Sequence, residues 1–75
     1  MSEQHLDARR LLCPMPVIRV QEAVDKLAAG DILQVVCTDP GALNDVPAWC
    51  RVHGHRVLEA RQEGDEVHIR IEVTA

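Results

Sequence analysis

The segment EVHIRIEVT at 66–74 alternates without a break, with Val67, Ile69, Ile71 and Val73 on one side and His68, Arg70, Glu72 and Thr74 on the other. A period of two over that length predicts a β-strand with one buried and one wet face. A strand of this kind needs a sheet, and the sheet needs a covering layer on its apolar side only. The choice narrows further with size, because 75 residues make one small domain that buries about 60% of the surface its unfolded chain exposes.

The covering layer is legible upstream. From Pro16 to Ala28, Val17, Val20, Val24, Leu27 and Ala28 recur at three- and four-residue spacing, with Arg19, Gln21, Glu22, Asp25 and Lys26 turned the other way. That spacing predicts an amphipathic helix. Gly30 stands where a left-handed stop belongs, and a Glu22–Lys26 pair supports the exposed face. HLDARR (5–10) reads as a short strand by its alternation, and ILQVVC (32–37) as a β-branched central strand, parallel to the first. Beyond it, Asp39 is expected to cap a second helix with Pro40 at its first position. Pro47 is expected to break that helix into pieces at 40–45 and 46–53. HRVLEARQ (55–62) and the final strand flank EGD, a tight hairpin turn.

The element order is therefore βαβαββ. Two right-handed crossovers place both helices on one side of a four-stranded mixed sheet, a two-layer α/β (α+β) sandwich occupying 1–75 as a single domain. The far face is expected in water, in keeping with Gln34, His68, Arg70 and Glu72.

Composition excludes several functions. Trp49 is the single aromatic residue of the Phe, Trp and Tyr class, so the core is aliphatic and offers no aromatic box for a cofactor. A formal charge of −4 argues against general polyanion binding, and no direct nucleic-acid contact is expected. No stretch reaches the roughly 20 apolar residues of a membrane span, and the polar start MSEQHLDARR lacks a signal-peptide core. The expectation is a cytoplasmic monomer. Cys13, Cys37 and Cys50 are odd in number and widely spaced, so free thiols are expected rather than a disulfide framework.

The three thiols differ in setting. Cys37 ends a strand in register with Leu33 and Val35, and Cys50 falls with Val46 and His53 on one side of the second helix, so both are assigned to packing. Cys50, His53 and His55 lack a fourth ligand and a paired C-x-x-C, so zinc is not expected and no cofactor is assigned. His5 and His68 are read as solvent-facing, Trp49 as core or half-buried, and Asp7 either as a cap or brace for the turn below Cys13 or as a solvated surface carboxylate.

Cys13 is different, because it precedes Pro14 and Pro16. Each proline has a fixed φ and no N–H, and each disfavours helical geometry in the residue before it. Cys13 is therefore expected just ahead of the helix, near the free N–H groups of Met15, Val17 and Ile18. A helix terminus contributes only about 0.3–1 kcal/mol toward a thiolate at an exposed site. Arg9, Arg10 and Arg19 add to it, since positions 8–21 hold no acidic residue in an acidic protein. That cluster is read both as thiolate-stabilising and as a docking patch for an acidic partner surface.

LDARRLLCPMPVIRV, followed by GDILQVVCTDPGALNDVPAWCRVHGHRV, resembles the TusA/SirA-like sulfur carrier family, whose hallmark is C-P-x-P at the start of the first helix. The likeness runs from Leu6 to the last strand. It implies a fold like the C-terminal domain of translation initiation factor 3, and it implies that Cys13 accepts sulfane sulfur as a persulfide and passes it on. The implied partners are a cysteine desulfurase or other donor and a downstream acceptor protein. The implied pathway is tRNA wobble-uridine thiolation or, alternatively, cofactor assembly or oxidation of reduced sulfur. A thiol redox or regulatory interaction module is a further alternative. In one departure, the chain has Arg10 where the family often has glycine shortly before the cysteine.

Overall fold

The computed structural model describes residues 3–12 and 15–74. Cys13 and Pro14 lie outside the described residues. The elements run β1 (Glu3–Ala8), α1 (Met15–Val24), β2 (Ile32–Cys37), α2 (Ala42–His53), β3 (Arg56–Glu63) and β4 (Glu66–Glu72). In space the strands lie in the order β1-β2-β4-β3. β1 pairs parallel with β2, and β4 pairs antiparallel with both β2 and β3. The βαβαββ sandwich expected from the sequence is the observed architecture.

Alternation fixes which face is covered. Leu33, Val35 and Cys37 of β2 and Val67, Ile69 and Ile71 of β4 are buried. They form one cluster with Val20 and Val24 of α1 and Val46 and Cys50 of α2. The two helices pack against each other as well as against the sheet. A fully buried Val or Ile side chain contributes about 1.5–3 kcal/mol, and β2 and β4 supply most of these from the two central strands. No helix among the described residues is long and apolar enough to cross a membrane.

The opposite face carries ion pairs. Arg70 meets Glu3 at 3.3 Å, Arg56 meets Glu72 at 3.8 Å, and His68 lies 3.2 Å from Glu66. His68 is on this face as expected, but it is half-buried among carboxylates rather than freely solvated. The hairpin turn at Gly64–Asp65 joins Glu63 to its partner Glu66, with Gly64 at φ 60° as a two-residue turn requires.

The ends of β1 and α1 depart from the sequence expectation. β1 ends at Ala8 rather than Arg10, because Arg10 turns into the left-handed region at φ 66°. α1 ends at Val24 rather than Ala28. Its last turn tightens, with Lys26 N–H on Ala23 and Leu27 N–H on Val24. Gly30, at φ 94°, turns the chain into β2, and its N–H bonds to the Val73 carbonyl at 2.7 Å. Glu22 pairs with Arg19 at 3.2 Å, where a partner four residues later was expected.

α2 is a single helix through Pro47, not two pieces. The proline removes one N–H, but Val46 and Cys50 on either side of it are both fully buried. Packing holds both halves in line against the break. Asp39 caps a turn ahead of the helix rather than the helix itself. Its carboxylate accepts the Gly41 N–H at 3.0 Å, and the helix starts at Ala42 after Gly41.

Candidate functional site

The β1-to-α1 crossover runs from Ala8, fully buried, to Pro16 and Val20, also buried. Between these fixed ends the described residues are exposed or partly so. Leu12 is 79% exposed. Its carbonyl accepts the Met15 N–H at 2.8 Å, and α1 begins at Met15. Pro16, the second residue of α1, is buried and suits a first-turn position whose N–H has no helical partner.

The three arginines named from the sequence do different things. Arg9 bonds both oxygens of Asp7 through Nε and Nη2 at 2.9 Å each, and its Nη1 lies 3.7 Å from Glu66. These contacts pull the Asp7 carboxyl down to about 2, first through the Arg9 side chain and then through the Arg9 N–H. Asp7 thus braces the start of the crossover, as the sequence suggested. Arg19 is exposed on α1 and paired with Glu22. Arg10 makes no ion pair among the described residues; its N–H donates to the Thr38 hydroxyl oxygen at 2.8 Å, twenty-eight residues away in sequence. The arginines contiguous in sequence are therefore not a run of unpaired charge in space.

Asp7, Arg9, Arg10, Thr38, Asp65 and Glu66 line an open polar depression of about 500 Å³. It lies where β1 and β2 end and β4 begins, at the sheet edge from which the Cys13 crossover departs. Sequence reasoning assigned no site role to Thr38, Asp65 or Glu66, and Thr38 was the least legible of the three. It follows Cys37 directly and reads as the lead-in to α2, and nothing local signals a contact with residue 10.

Cys37 and Cys50 are both fully buried and free. Burial pushes both thiols up, Cys50 to about 11, and the Asp39 charge adds to the effect at Cys37. Trp49 is partly buried, with its ring 4.6 Å from His53 and stacked 5.5 Å from His55. His55 Nδ1 accepts the Thr74 N–H at 3.2 Å, so this imidazole fastens the end of the chain. Among the described residues no group of three or more His, Cys, Asp or Glu is placed to hold a metal ion.

The class so defined is a two-layer βαβαββ domain with a cysteine in its first crossover. The family model described as sulfurtransferase TusA matches residues 4–73. A putative sulfur carrier protein, YrkI, from Bacillus subtilis is 48% identical over 64 residues, 85% of each chain. The sulfur carrier protein TusA of Allochromatium vinosum is 35% identical over 69 residues, 92% of this chain and 91% of its own. The chain belongs to the TusA family. In fold it matches the crystal structure of a SirA-like protein from Desulfitobacterium hafniense with a TM-score of 0.82 at 22% identity, over 96% of this chain and 99% of that one.

Proposed function

We propose that the protein carries sulfane sulfur as a persulfide on Cys13. The observation that supports this most is the TusA family match over residues 4–73, with the C-P-x-P cysteine directly ahead of α1. The other two thiols are buried and harder to ionise, which leaves Cys13 as the candidate nucleophile.

The chemistry is thiol exchange. The Cys13 thiolate attacks the outer sulfur of a donor persulfide; the new sulfur–sulfur bond forms as the old one breaks, and the donor leaves as a thiolate. An acceptor thiolate then attacks the outer sulfur on Cys13 and releases the Cys13 thiolate. No net oxidation occurs, and no general base beyond a lowered thiol pKa is required. The role is that of a sulfurtransferase acting between proteins, with a cysteine desulfurase as donor and an acceptor in tRNA wobble-uridine thiolation. Arg9, Arg10 and Arg19 serve thiolate stabilisation and docking. Arg10 is the first to test, because Arg9 and Arg19 are already engaged with Asp7, Glu66 and Glu22.

Intact mass after incubation with a desulfurase and cysteine tests the reading. Wild type gains one reducible sulfur and Cys13→Ser gains none. Sulfur uptake by the Ser variant would overturn it.

A further inference from the structure

Arg10 is the one non-glycine residue with positive φ among the described residues. A left-handed conformation costs an ordinary side chain free energy at every moment it is held, so something in the fold must hold it. The neighbouring contacts identify what does. The Arg9 N–H is taken by Asp7 Oδ1 at 3.1 Å, and its guanidinium straps the end of β1 to Glu66. These fix residue 9. The Arg10 N–H is taken by Thr38 Oγ1 at 2.8 Å.

Thr38 is a firm anchor. It follows Cys37, which is fully buried and paired to Ala8 on one side and Val67 on the other. The end of β2 therefore cannot shift without disturbing three strands. Arg10 stands only three residues before Cys13, a span of about 10 Å at full extension. On the far side, Met15 N–H closes onto Leu12 and α1 is seated by Pro16 and Val20. The crossover is thus held at its exit by the helix and at its entry by Thr38.

We infer that Thr38 is a positioning residue for the segment that leads to Cys13, its hydroxyl oxygen fixing the Arg10 backbone through the Arg10 N–H. The inference rests on the carrier reading for its function, though not for its geometry. Thr38→Val keeps the β-branched shape suited to a strand end and removes the acceptor, whereas Thr38→Ser keeps the acceptor.

The test is the pH profile of Cys13 alkylation by iodoacetamide in native, full-length protein, run beside sulfur uptake from a desulfurase. Thr38→Val lowers the pH-independent alkylation rate or moves the midpoint of the profile. It slows sulfur uptake about two- to tenfold, the change in population expected from losing one net hydrogen bond. Thr38→Ser restores both. An alkylation profile that superposes on wild type in Thr38→Val, with uptake unchanged, overturns the inference, even if the urea midpoint falls. If wild type itself takes up no sulfur while its alkylation profile still responds to Thr38→Val and recovers in Thr38→Ser, the positioning stands and the carrier reading fails.

Discussion

The floor of the sheet under α2 and the crossover between β1 and α1 follow opposite rules. Under α2, Val46, Cys50, Ile69 and Ile71 are almost completely enclosed, in a cluster of aliphatic and sulfur-bearing side chains with Trp49 packed against it. In the crossover, Arg9, Arg10 and Leu12 face water, and order comes from polar contacts to Asp7, Thr38 and Glu66. The enclosed region gains stability from area and holds its thiols inert. The described part of the crossover contributes little area and is held by individual hydrogen bonds, a setting that suits the carrier role proposed above.

The largest way to break this contrast is in the floor. Ile71→Ala removes a fully buried side chain and is expected to cost about 2–5 kcal/mol in urea unfolding. Leu12→Ala, in the crossover, should stay within about 0.5 kcal/mol of wild type. Comparable losses at both sites would erase the distinction.

Next in size is the exchange of sulfur for oxygen. Cys50→Ser places a hydroxyl in an apolar enclosure and should cost about 1–3 kcal/mol, while Cys13→Ser should move stability by no more than about 0.5 kcal/mol. Denaturant curves of the two single variants decide it, and a large loss at residue 13 would make that cysteine structural.

A smaller effect of opposite sign is expected at Arg10. Glycine relieves about 1–2 kcal/mol of left-handed strain but loses about 0.4–1 kcal/mol to the greater freedom of the unfolded chain. Arg10→Gly should therefore stabilise the fold by up to about 1.6 kcal/mol. A clear loss would show that the arginine side chain contributes more than its backbone conformation costs.

The smallest effect is electrostatic. The Asp7 carboxyl, held down to about 2 by Arg9, contributes stability that is complete above its ordinary value near 3.8 and fades as pH falls toward 2. Carboxyl chemical shifts should place its midpoint well below its ordinary value near 3.8, and Asp7→Asn should remove that part of the acid dependence. An ordinary midpoint would mean that the Asp7–Arg9 pair does not persist in solution.

The floor was the legible part of the sequence because alternation in β4 and helical spacing in α1 repeat the same instruction many times. Val67, Ile69 and Ile71 each specify the covered face, so one ambiguous residue changes nothing. The end of α1 and the continuity of α2 each turn on a single local signal that the fold overrides. Gly30 suggests a helix stop but turns the chain into β2. Pro47 suggests a break but is overridden by the burial of Val46 and Cys50. In the crossover, C-P-x-P and the resemblance singled out Cys13. The Arg10–Thr38 bond was beyond reach, because it joins residues twenty-eight apart through a conformation that an arginine does not advertise.

The central claim is that one thiol is reactive and two are structural, and native-state labelling tests it most directly. The folded protein is exposed to maleimide at pH 8, quenched at intervals, and mapped by the mass of its three cysteine peptides. At that pH only about one Cys50 thiol in a thousand is ionised, and both Cys37 and Cys50 are shielded from the reagent. Cys13 should be labelled to completion while Cys37 and Cys50 remain unmodified, all three becoming equal once the protein is unfolded in urea. Labelling of Cys37 or Cys50 in native protein as fast as Cys13 would contradict the claim.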